Sequence, residues 1–355
     1  MILAFLISWW VCFSPALSHS PPPAKPTNII LVIGDGMGLA HIALAEMLHK
    51  PPSPLQRMSV VGLQKTHSSS HLETDSGAAA TAIGSGVKTF NAAIGEGPDS
   101  LPVESIMEIA HEHGLKTGFV VTCSVVHATP AAFYAHADSR GSYEEIAKQL
   151  TTSGVDVFVG GGEKYFYDRY SDDVNLVKLL RNEDYTVIES TDSQSKFRLE
   201  KISKDKKIAC FTALEDPLRA TQGRTYLPMM VSETMDALRQ RSDKGYFLMV
   251  EGSQIDWAAH ANDQDWLALE MQDFYSMLDV ILSKIDSNTL LIVTADHECG
   301  YISIKGKKVP RVVFGSKVHS SQMVPVFANG PGAEEFAGIY ENTEIFEKMK
   351  RLLGF

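Results

Sequence analysis

Seven carboxylate and imidazole side chains stand where apolar stretches of the sequence end, or shortly after them. They are Asp35, Glu251, Asp256, His260, Asp296, His297 and His319. Four carboxylates and three imidazoles gathered in one place would be electrostatically costly unless cations were bound among them. Mixed oxygen and imidazole ligands suit zinc, whereas an all-oxygen set suits magnesium. These residue types therefore predict a metal centre, provided that the fold brings them together.

A serine in a run of small residues is the second feature with catalytic potential. Ser76 lies within the sequence TDSGAAATA, residues 74–82. The alanines favour a helix that starts at or just after Ser76. The free amides and positive field of a helix N-terminus suit a nucleophile that must become an alkoxide and then carry a phosphoryl group. The local stretch is equally compatible with a serine that only caps the helix.

The spacing of the metal-ligating candidates is informative only when they are taken together. Asp256 and His260 are four positions apart, which would place both on one face of a helix. Most such pairs are surface contacts, but this one follows directly after an apolar run. Asp296 and His297 are adjacent and could both turn toward a metal at a strand end. His319, in a serine-rich loop, would by itself be interpreted as a surface histidine.

Apolar runs alternate with amphipathic stretches along the chain, which predicts an α/β fold with a mostly parallel central sheet and helices on both faces. The predicted strands are residues 28–33, 116–122, 155–159, 246–250, 290–294 and 324–327. The predicted helices are residues 39–49, 103–113, 130–137, 143–150, 231–239, 267–285 and 344–353. Ligands of such sheets bind outside the carboxyl ends of the strands. Without an internal repeat or interior linker, residues 28–355 are predicted to form a single domain.

Bulk composition excludes one class of partner. The chain has 355 residues and a net charge of −11, whereas a nucleic-acid backbone requires a basic surface. Small phosphate substrates remain compatible with this charge, because a metal cluster can reverse the local sign. The cysteines Cys123, Cys210 and Cys299 fit no zinc-ribbon spacing, and the sequence does not decide whether two of them form a disulfide.

The first residues have the pattern of an export signal. Residues 1–18 are an apolar run that ends in small residues, which predicts a signal peptide and a secreted or periplasmic protein. An uncleaved membrane anchor is the alternative, although the run is short for a transmembrane span. Residues 19–27 are rich in proline and predict an extended linker.

Taken together, the motifs resemble those of the alkaline phosphatase family, and six blocks occur in that family's order between Asn28 and Gly332. The blocks are residues 34–38 (GDGMG), residues 75–81 (DSGAAAT), residues 127–130 (HATP) with Arg140, residues 250–256 (VEGSQID) with His260, residues 294–297 (TADH), and His319 with residues 324–326 (VPV).

This resemblance implies a role for each candidate residue. It assigns Asp256, His260 and His319 to a first zinc ion, and Asp35, Asp296, His297 and Ser76 to a second. It has Asp35 bridge to a magnesium ion that is also held by Thr129 and Glu251, and it has Arg140 bind two phosphate oxygens. The implied activity is hydrolysis of phosphate monoesters through a phosphorylated Ser76, and the implied assembly is a homodimer.

Two positions depart from the pattern of some bacterial relatives. His127 stands where they carry an aspartate, and Trp257 stands where they carry a lysine that reaches the phosphate through water. We therefore expect His127 and Trp257 to line the substrate site, to loosen the bound phosphate product, and to leave the third metal open between magnesium and zinc. His297 and His319 are only 22 positions apart, which leaves no room for the large crown domain that larger relatives insert there.

Three rival functions have different sequence requirements. A sulfatase of the same superfamily needs a Cys/Ser-x-Pro-x-Arg context, but Gly77 and Ala78 follow Ser76. Phosphodiesterase relatives generally use a threonine nucleophile and lack the magnesium and arginine set, so that Thr129, Glu251 and Arg140 favour monoesters. A non-catalytic metal-binding protein would have lost the nucleophile or a ligand, and none is missing from the sequence.

Overall fold

The structure is a computed structural model, and it describes residues 25–190 and 198–355. The predicted signal peptide (1–18) and residues 19–24 of the predicted linker lie outside the described residues. Within those two ranges, no helix is both long enough and apolar enough to cross a membrane.

The described residues form fourteen strands. In chain order they are β1 (Asn28–Gly34), β2 (Val60–Lys65), β3 (Lys116–Ser124), β4 (Val157–Gly161), β5 (Tyr185–Ile188), β6 (Lys207–Phe211), β7 (Tyr246–Gly252), β8 (Thr289–Thr294), β9 (Glu298–Cys299), β10 (Ser303–Lys305), β11 (Arg311–Val313), β12 (His319–Ser320), β13 (Val324–Asn329) and β14 (Gly338–Glu341).

The same residues form ten α-helices. They are α1 (Leu39–Leu48), α2 (Ser76–Ser85), α3 (Ile106–Glu112), α4 (Ala128–Ala131), α5 (Tyr143–Thr152), α6 (Leu176–Asn182), α7 (Tyr226–Arg241), α8 (Gln254–Ala261), α9 (Gln264–Lys284) and α10 (Thr343–Leu353).

Ten of the strands make one sheet, in the order β14-β2-β13-β8-β1-β7-β3-β4-β6-β5. Neighbouring strands are parallel except that β13 runs antiparallel to both β2 and β8. The remaining four strands form two small antiparallel pairs, β10 with β11 and β12 with β9. The prediction of a mostly parallel sheet is confirmed.

Both faces of the sheet are covered, because side chains of a strand alternate between them. In β1, Ile29, Leu31 and Ile33 belong to a core shared with α2, α3, α5 and α10. Ile30 and Val32 belong to a second core shared with α1, α7, α8 and α9. All five side chains are fully buried. A central strand that is buried on both sides has a continuous apolar sequence, as β1 has.

Several predicted boundaries are wrong. The helix expected over residues 130–137 is only α4, which ends at Ala131. The helix expected from residue 103 begins at Ile106, because the Ser105 hydroxyl accepts a hydrogen bond from the Glu108 amide and the Glu108 carboxylate accepts one from the Ser105 amide. The strand expected over residues 155–159 is displaced to β4. Strands β2, β5, β6 and β14, which are the two outermost strands at each edge of the sheet, were not anticipated.

Only β9 to β12 and their turns lie between His297 and the end of the His319 strand. These are two small antiparallel pairs rather than a folded unit, so the predicted absence of a large inserted crown domain is confirmed. The three cysteines of the described residues are all buried, and Cys123 and Cys299 are free thiols.

Candidate metal centre and nucleophile

The order of strands in the sheet explains why distant parts of the sequence meet. β8, β1, β7 and β3 are consecutive neighbours at the centre of the sheet. Asp35 follows β1, Glu251 lies near the end of β7, and Asp296 follows β8. The parallel direction places all three carboxylates at one edge, as expected for open α/β sheets.

The first cluster consists of Asp256 and His260 on α8 together with His319 on β12. His260 Nε2 lies 3.2 Å from Asp256 Oδ2, and His319 Nε2 lies 3.4 Å from Asp256 Oδ1. The two Nε2 atoms are 3.0 Å apart. The opposite ring nitrogens contact the carbonyl oxygens of Lys317 and Thr74, at 2.5 Å and 2.8 Å. Such contacts orient both imidazoles so that Nε2 faces the cluster, which is how metal-binding histidines are usually held.

The second cluster consists of Asp35, Asp296 and His297, and all three side chains are fully buried. His297 Nε2 lies 3.5 Å from Asp35 Oδ1 and 3.3 Å from Asp296 Oδ2. Asp296 Oδ1 accepts hydrogen bonds from the amides of Gly36 and His297. This leaves Asp296 Oδ2 directed at the cluster.

Gly36 is required for the two clusters to approach each other. Its φ of +69° favours glycine, and a Cβ built there would lie 2.8 Å from Asp256 Oδ1. The loop that carries Asp35 can therefore pass against Asp256 only without a side chain at this position.

A third group surrounds Glu251. The Ser253 hydroxyl donates to Glu251 Oε2 at 2.7 Å, and the Cys123 thiol approaches the same oxygen at 3.4 Å. Glu251 Oε1 and Thr129 Oγ1 are buried and have no hydrogen-bond partner. Cys123, His127 and Glu251 offer ligand atoms that lie within 4.8 Å of one another.

The buried polar atoms fit divalent cations. Both oxygens of Asp35, Asp256 Oδ1, Asp296 Oδ2 and Glu251 Oε1 are buried without a hydrogen-bond partner. Buried carboxylate oxygens are normally paired, and so many unpaired ones in one place would strongly disfavour the charged state. Cations that bind these oxygens and the neighbouring imidazoles remove that cost.

Without bound cations, the pKa shifts of these groups show the same cost of burying charged side chains. Burial, reinforced by the Asp296 carboxylate, raises the pKa of Asp35 well above its usual value. Burial also raises the pKa of Glu251 to about 7 and lowers the pKa of His297 to about 4. Burial alone would raise the pKa of Asp256, but contacts with His260 and His319 hold it well below its usual value.

Ser76 is the first residue of α2, so the predicted helix start is confirmed. The capping residue is Asp75 rather than Ser76, because Asp75 Oδ1 accepts a hydrogen bond from the Ala78 amide. Ser76 is thus free of a capping role, and its Oγ lies 3.4 Å from His297 Nε2. The hydroxyl stands at a helix N-terminus and beside the second cluster at once.

Arg140 approaches the nucleophile through Asp75. Its Nη1 donates to Asp75 Oδ2 at 2.8 Å, and its Nη2 lies 3.3 Å from His127 Nε2. The His127 ring also meets the Trp257 ring edge to face, with 5.6 Å between centroids. Burial, reinforced by Arg140, lowers the pKa of His127 to about 3, so this imidazole is neutral.

Sequence reasoning missed three residues of the site. Asp75 orients Arg140 and caps α2 at once. Cys299 lies with Asp256, His260 and His319 in a group whose ligand atoms are within 4.8 Å of one another, and Cys123 lies beside Glu251. For Cys299 a signal existed, because it follows His297 by two positions. Its contact with the first cluster depends on the pairing of Cys299 with His319 between β9 and β12.

Comparison with protein families identifies this arrangement. The family model described as alkaline phosphatase matches residues 26–318. The chain belongs to the alkaline phosphatase family. Family membership makes it an enzyme that hydrolyses phosphate monoesters with the help of metal ions, in agreement with the clusters described above.

Relatives in the alkaline phosphatase family match over most of the chain. Alkaline phosphatase 4 of Bacillus subtilis is 30% identical, over 92% of this chain and 89% of its own length. The alkaline phosphatase of Escherichia coli is 29% identical, over 95% of this chain and 88% of its own length.

Solved alkaline phosphatase structures have the same fold. The enzyme from the Antarctic bacterium TAB5 is 39% identical and superposes with a TM-score of 0.88, covering 93% of this chain and 98% of that chain. A cold-active alkaline phosphatase from Shewanella sp. is 29% identical with a TM-score of 0.83, covering 92% of this chain and 100% of that chain.

Proposed function

We propose that this enzyme forms a covalent phosphoserine at Ser76 and then hydrolyses it, releasing an alcohol and inorganic phosphate. The observation that carries the proposal is the position of the Ser76 hydroxyl, 3.4 Å from His297 Nε2 at the edge of the second cluster. In the first step Oγ loses its proton and bonds to phosphorus while the bond to the alcohol oxygen breaks, and the leaving oxygen gains a proton so that the product is a neutral alcohol. In the second step water attacks phosphorus, the bond to Oγ breaks, and Oγ regains a proton.

The ligand sets divide among three ions. Asp256, His260 and His319 would hold one zinc ion, and Asp35, Asp296, His297 and Ser76 a second. Asp35, Thr129 and Glu251 would hold magnesium, with zinc as the other occupant if His127 joins the set. Bound cations supply Lewis-acid stabilisation of the entering and leaving oxygens and lower the pKa of a bound water. Two TAB5 variants with a histidine replaced by an acidic residue have magnesium in a site named M3, which supports the expectation that an acidic side chain favours magnesium at the third site.

The protein's own groups position the phosphate. The N-terminus of α2 presents backbone amides and a positive dipole end to a phosphoryl group on Ser76. Arg140 can bind two phosphate oxygens through its planar fork, and Asp75 fixes the direction of that fork. These contacts do not depend on a particular alcohol, which fits a general phosphate monoesterase.

The test is to trap the covalent intermediate. Wild-type enzyme quenched in acid during turnover should carry a phosphoryl group on the peptide that contains Ser76, as detected by mass spectrometry. Ser76→Ala should lose this adduct and most of kcat, with slow residual hydrolysis because Arg140 and the ligand clusters remain.

Ser85→Ala is the matched control, since Ser85 is the last residue of the same helix and is also buried. It should retain both the adduct and the activity. A Ser76→Ala variant with near-wild-type kcat would overturn the assignment of the nucleophile.

A monoesterase is distinguished from a phosphodiesterase by comparing a monoester with a diester of the same alcohol. We expect the monoester to be strongly preferred, because Arg140 and the third site can hold the extra charged oxygen that a diester lacks. A preference for the diester would favour the rival function.

Two expectations from the sequence stay proposals. We propose that residues 1–18 direct export and are removed, which N-terminal sequencing of exported protein would test. We also propose a homodimer, which light scattering of the purified enzyme would test.

A further inference from the structure

A cavity of about 450 Å³ opens next to the first cluster. Its inner wall is formed by His260, His319 and the segment Thr74–Asp75, which directly precedes the nucleophile. Its outer part is formed by Glu73, Asn91, Tyr301 and Val318. None of the four outer residues belongs to a ligand cluster. The cavity therefore begins at the reacting centre and extends toward solvent along residues that have no role in the chemistry itself.

The geometry of phosphoryl transfer indicates what occupies this space. The entering and leaving oxygens lie roughly in line on opposite sides of phosphorus. Ser76 Oγ lies 3.4 Å from Nε2 of His297, which belongs to the second cluster. The His297 ring is stacked on the ring of His319, which belongs to the first cluster, with 3.7 Å between centroids. The first cluster thus adjoins the second through this pair of rings, and the lining of the cavity includes His260 and His319 but not Ser76. An alcohol displaced by Ser76 would leave on the side of His260 and His319, where the cavity is.

Tyr301 offers an aromatic surface at the mouth. Its side chain is partly exposed, and so is that of Val318. The φ of Tyr301 is +46°, which is unfavourable for a bulky residue. Hydrogen bonds of Gly300 hold this backbone: its amide donates to the Val318 carbonyl at 3.1 Å, and its carbonyl accepts from Gly315 at 3.0 Å. A strained conformation maintained by its surroundings is typical of a functional position.

Charge at the mouth is negative. Glu73 is exposed, and the other carboxylate of the lining, Asp75, is already paired with Arg140. The lining contains no lysine or arginine. An alcohol that carries a further carboxylate or phosphate would be repelled by Glu73, whereas one that carries an ammonium or another hydrogen-bond donor would be attracted.

We propose that this cavity binds the alcohol part of the substrate, with Tyr301 stacking on an aromatic ring and Glu73 selecting against additional negative charge. The inference rests on the phosphate monoesterase activity proposed above, and it names the substrate class as phosphate monoesters of aromatic alcohols that are otherwise neutral or cationic.

The test compares three substrates. Tyramine O-phosphate and the phosphate ester of 3-(4-hydroxyphenyl)propionate are aryl phosphates of similar shape and leaving-group reactivity that differ in one remote charge. Glycerol 3-phosphate has no aromatic ring that could stack on Tyr301. In wild-type enzyme we expect kcat/KM to be about two- to fivefold higher for the tyramine ester than for the propionate ester, in keeping with one exposed charge interaction. Added salt should reduce this ratio.

Two variants separate the contributions. Glu73→Gln keeps the shape and removes the charge, so the ratio of the two aryl esters should approach one. Tyr301→Asn removes the ring, and asparagine tolerates a positive φ, so the backbone is preserved. This variant should lower kcat/KM for both aryl esters relative to glycerol 3-phosphate by about three- to tenfold, as expected for the loss of one aromatic contact.

Control variants at sites outside the cavity are Glu334→Gln and Tyr167→Ala, each at an exposed residue. Both should leave the substrate ratios unchanged. If the wild-type enzyme hydrolyses none of the three esters, the proposed function itself fails. If it hydrolyses them but Glu73→Gln and Tyr301→Asn leave the ratios as in wild type, only the assignment of the cavity is overturned.

Discussion

At the scale of single residues, Arg140 is held near the nucleophile by Asp75, the residue that directly precedes Ser76. Asp75 binds the Arg140 guanidinium, accepts the Ala78 and Ala92 amides, and precedes Ser76. Burial alone would raise the pKa of Asp75, but the Arg140 guanidinium and the Ala92 and Ala78 amides hold it below its usual value, so Asp75 stays charged. One aspartate thus fixes both the start of α2 and the direction of the cation.

Arg140→Ala should raise KM and weaken phosphate inhibition by about 10- to 100-fold, with a smaller effect on kcat. The reason is that the guanidinium binds phosphate oxygens in the ground state and the transition state alike, and charge-assisted hydrogen bonds contribute about 1.5–3 kcal/mol. Steady-state kinetics with added phosphate measure both effects. Arg140→Lys is the matched control, because it keeps the positive charge but loses the planar guanidinium. Its KM and phosphate inhibition should lie between those of the wild type and of Arg140→Ala. Unchanged phosphate inhibition in Arg140→Ala would remove this residue from the site.

His127 and Trp257 are the second residue-scale case, because their rings are in contact. We predict that Trp257→Lys tightens phosphate inhibition and lowers kcat, since an added cation holds the product that must leave. His127→Asp should increase the magnesium content, since a carboxylate is a harder ligand than an imidazole. The double variant should be non-additive because the side chains touch.

Phosphate inhibition constants, kcat and metal analysis of the purified single and double variants check this prediction. If inhibition and metal content stay as in wild type, the two side chains only pack the wall of the site.

At the scale of elements, hydrogen bonds of Gln254 hold the start of α8, and a buried ion-pair network holds the adjoining segment against α9. Gln254, the first residue of α8, donates to the carbonyls of Thr122 and Pro217 at 2.8 Å and 2.9 Å. The segment that follows Pro217 contains Arg224, which pairs with Glu270 and Asp273 on α9. The start of the helix that carries Asp256 and His260 is therefore fixed to the segment at Pro217, and the Arg224 ion pairs attach the residues after Pro217 to α9.

Glu270→Ala should destabilise the protein by about 3–5 kcal/mol, because it leaves the buried Arg224 with an incomplete partner set. Glu270 also accepts hydrogen bonds from Trp266 Nε1 and the Ala220 amide, both at 2.9 Å. Urea denaturation gives the free energy of unfolding. Asp184→Asn is the control, since it removes one charge from the exposed pair with Lys206 and should cost less than about 1 kcal/mol. Equal losses in the two variants would contradict the prediction.

At the scale of the whole molecule, the clusters connect stability to pH and metal. In ion-free protein, burial raises the pKa of Glu251 to about 7. Burial would lower the pKa of His319, but the Asp256 carboxylate raises it to about 8. Both groups bind protons more tightly when folded, so their contribution to stability is present at low pH and is lost as pH rises through these values. The histidines with lowered pKa values act in the opposite direction, mostly below pH 6.5 but still by about 1 kcal/mol in total between pH 6.5 and 8.5, because about half of each is protonated in the unfolded chain at pH 6.5; they are His41, His127 and His297.

We therefore predict that the stability of chelator-treated enzyme falls by about 1 kcal/mol between pH 6.5 and 8.5, the difference between these opposing contributions. Enzyme loaded with zinc and magnesium should show no such fall, because metal binding requires deprotonated ligands and strengthens as pH rises. Urea denaturation of both forms across this range is the measurement. His319→Gln should flatten the slope of the chelated form. A chelated form whose stability rises with pH would contradict the assignment.

The sequence by itself determined the features that depend on local order. The apolar run of β1 is buried on both faces as predicted, and the helix starts at Ser76 as predicted. Each of the seven predicted carboxylates and imidazoles lies in one of the three groups at the carboxyl edge of the sheet. These features could be predicted because burial period, helix propensity and the residue types after a strand are properties of neighbouring positions.

Only the tertiary structure decided how the strands are ordered and which side chains meet. The central order β8-β1-β7-β3 brings Asp296, Asp35 and Glu251 together from positions far apart in the sequence. The pairing of β12 with β9 sets Cys299 against His319, and the fold of residues 132–140 brings Arg140 to Asp75. Short strands such as β2 and β14 also have no signal of their own, because neighbouring strands rather than their own sequence stabilise them. Such contacts depend on long-range packing and backbone pairing, which local sequence patterns do not determine.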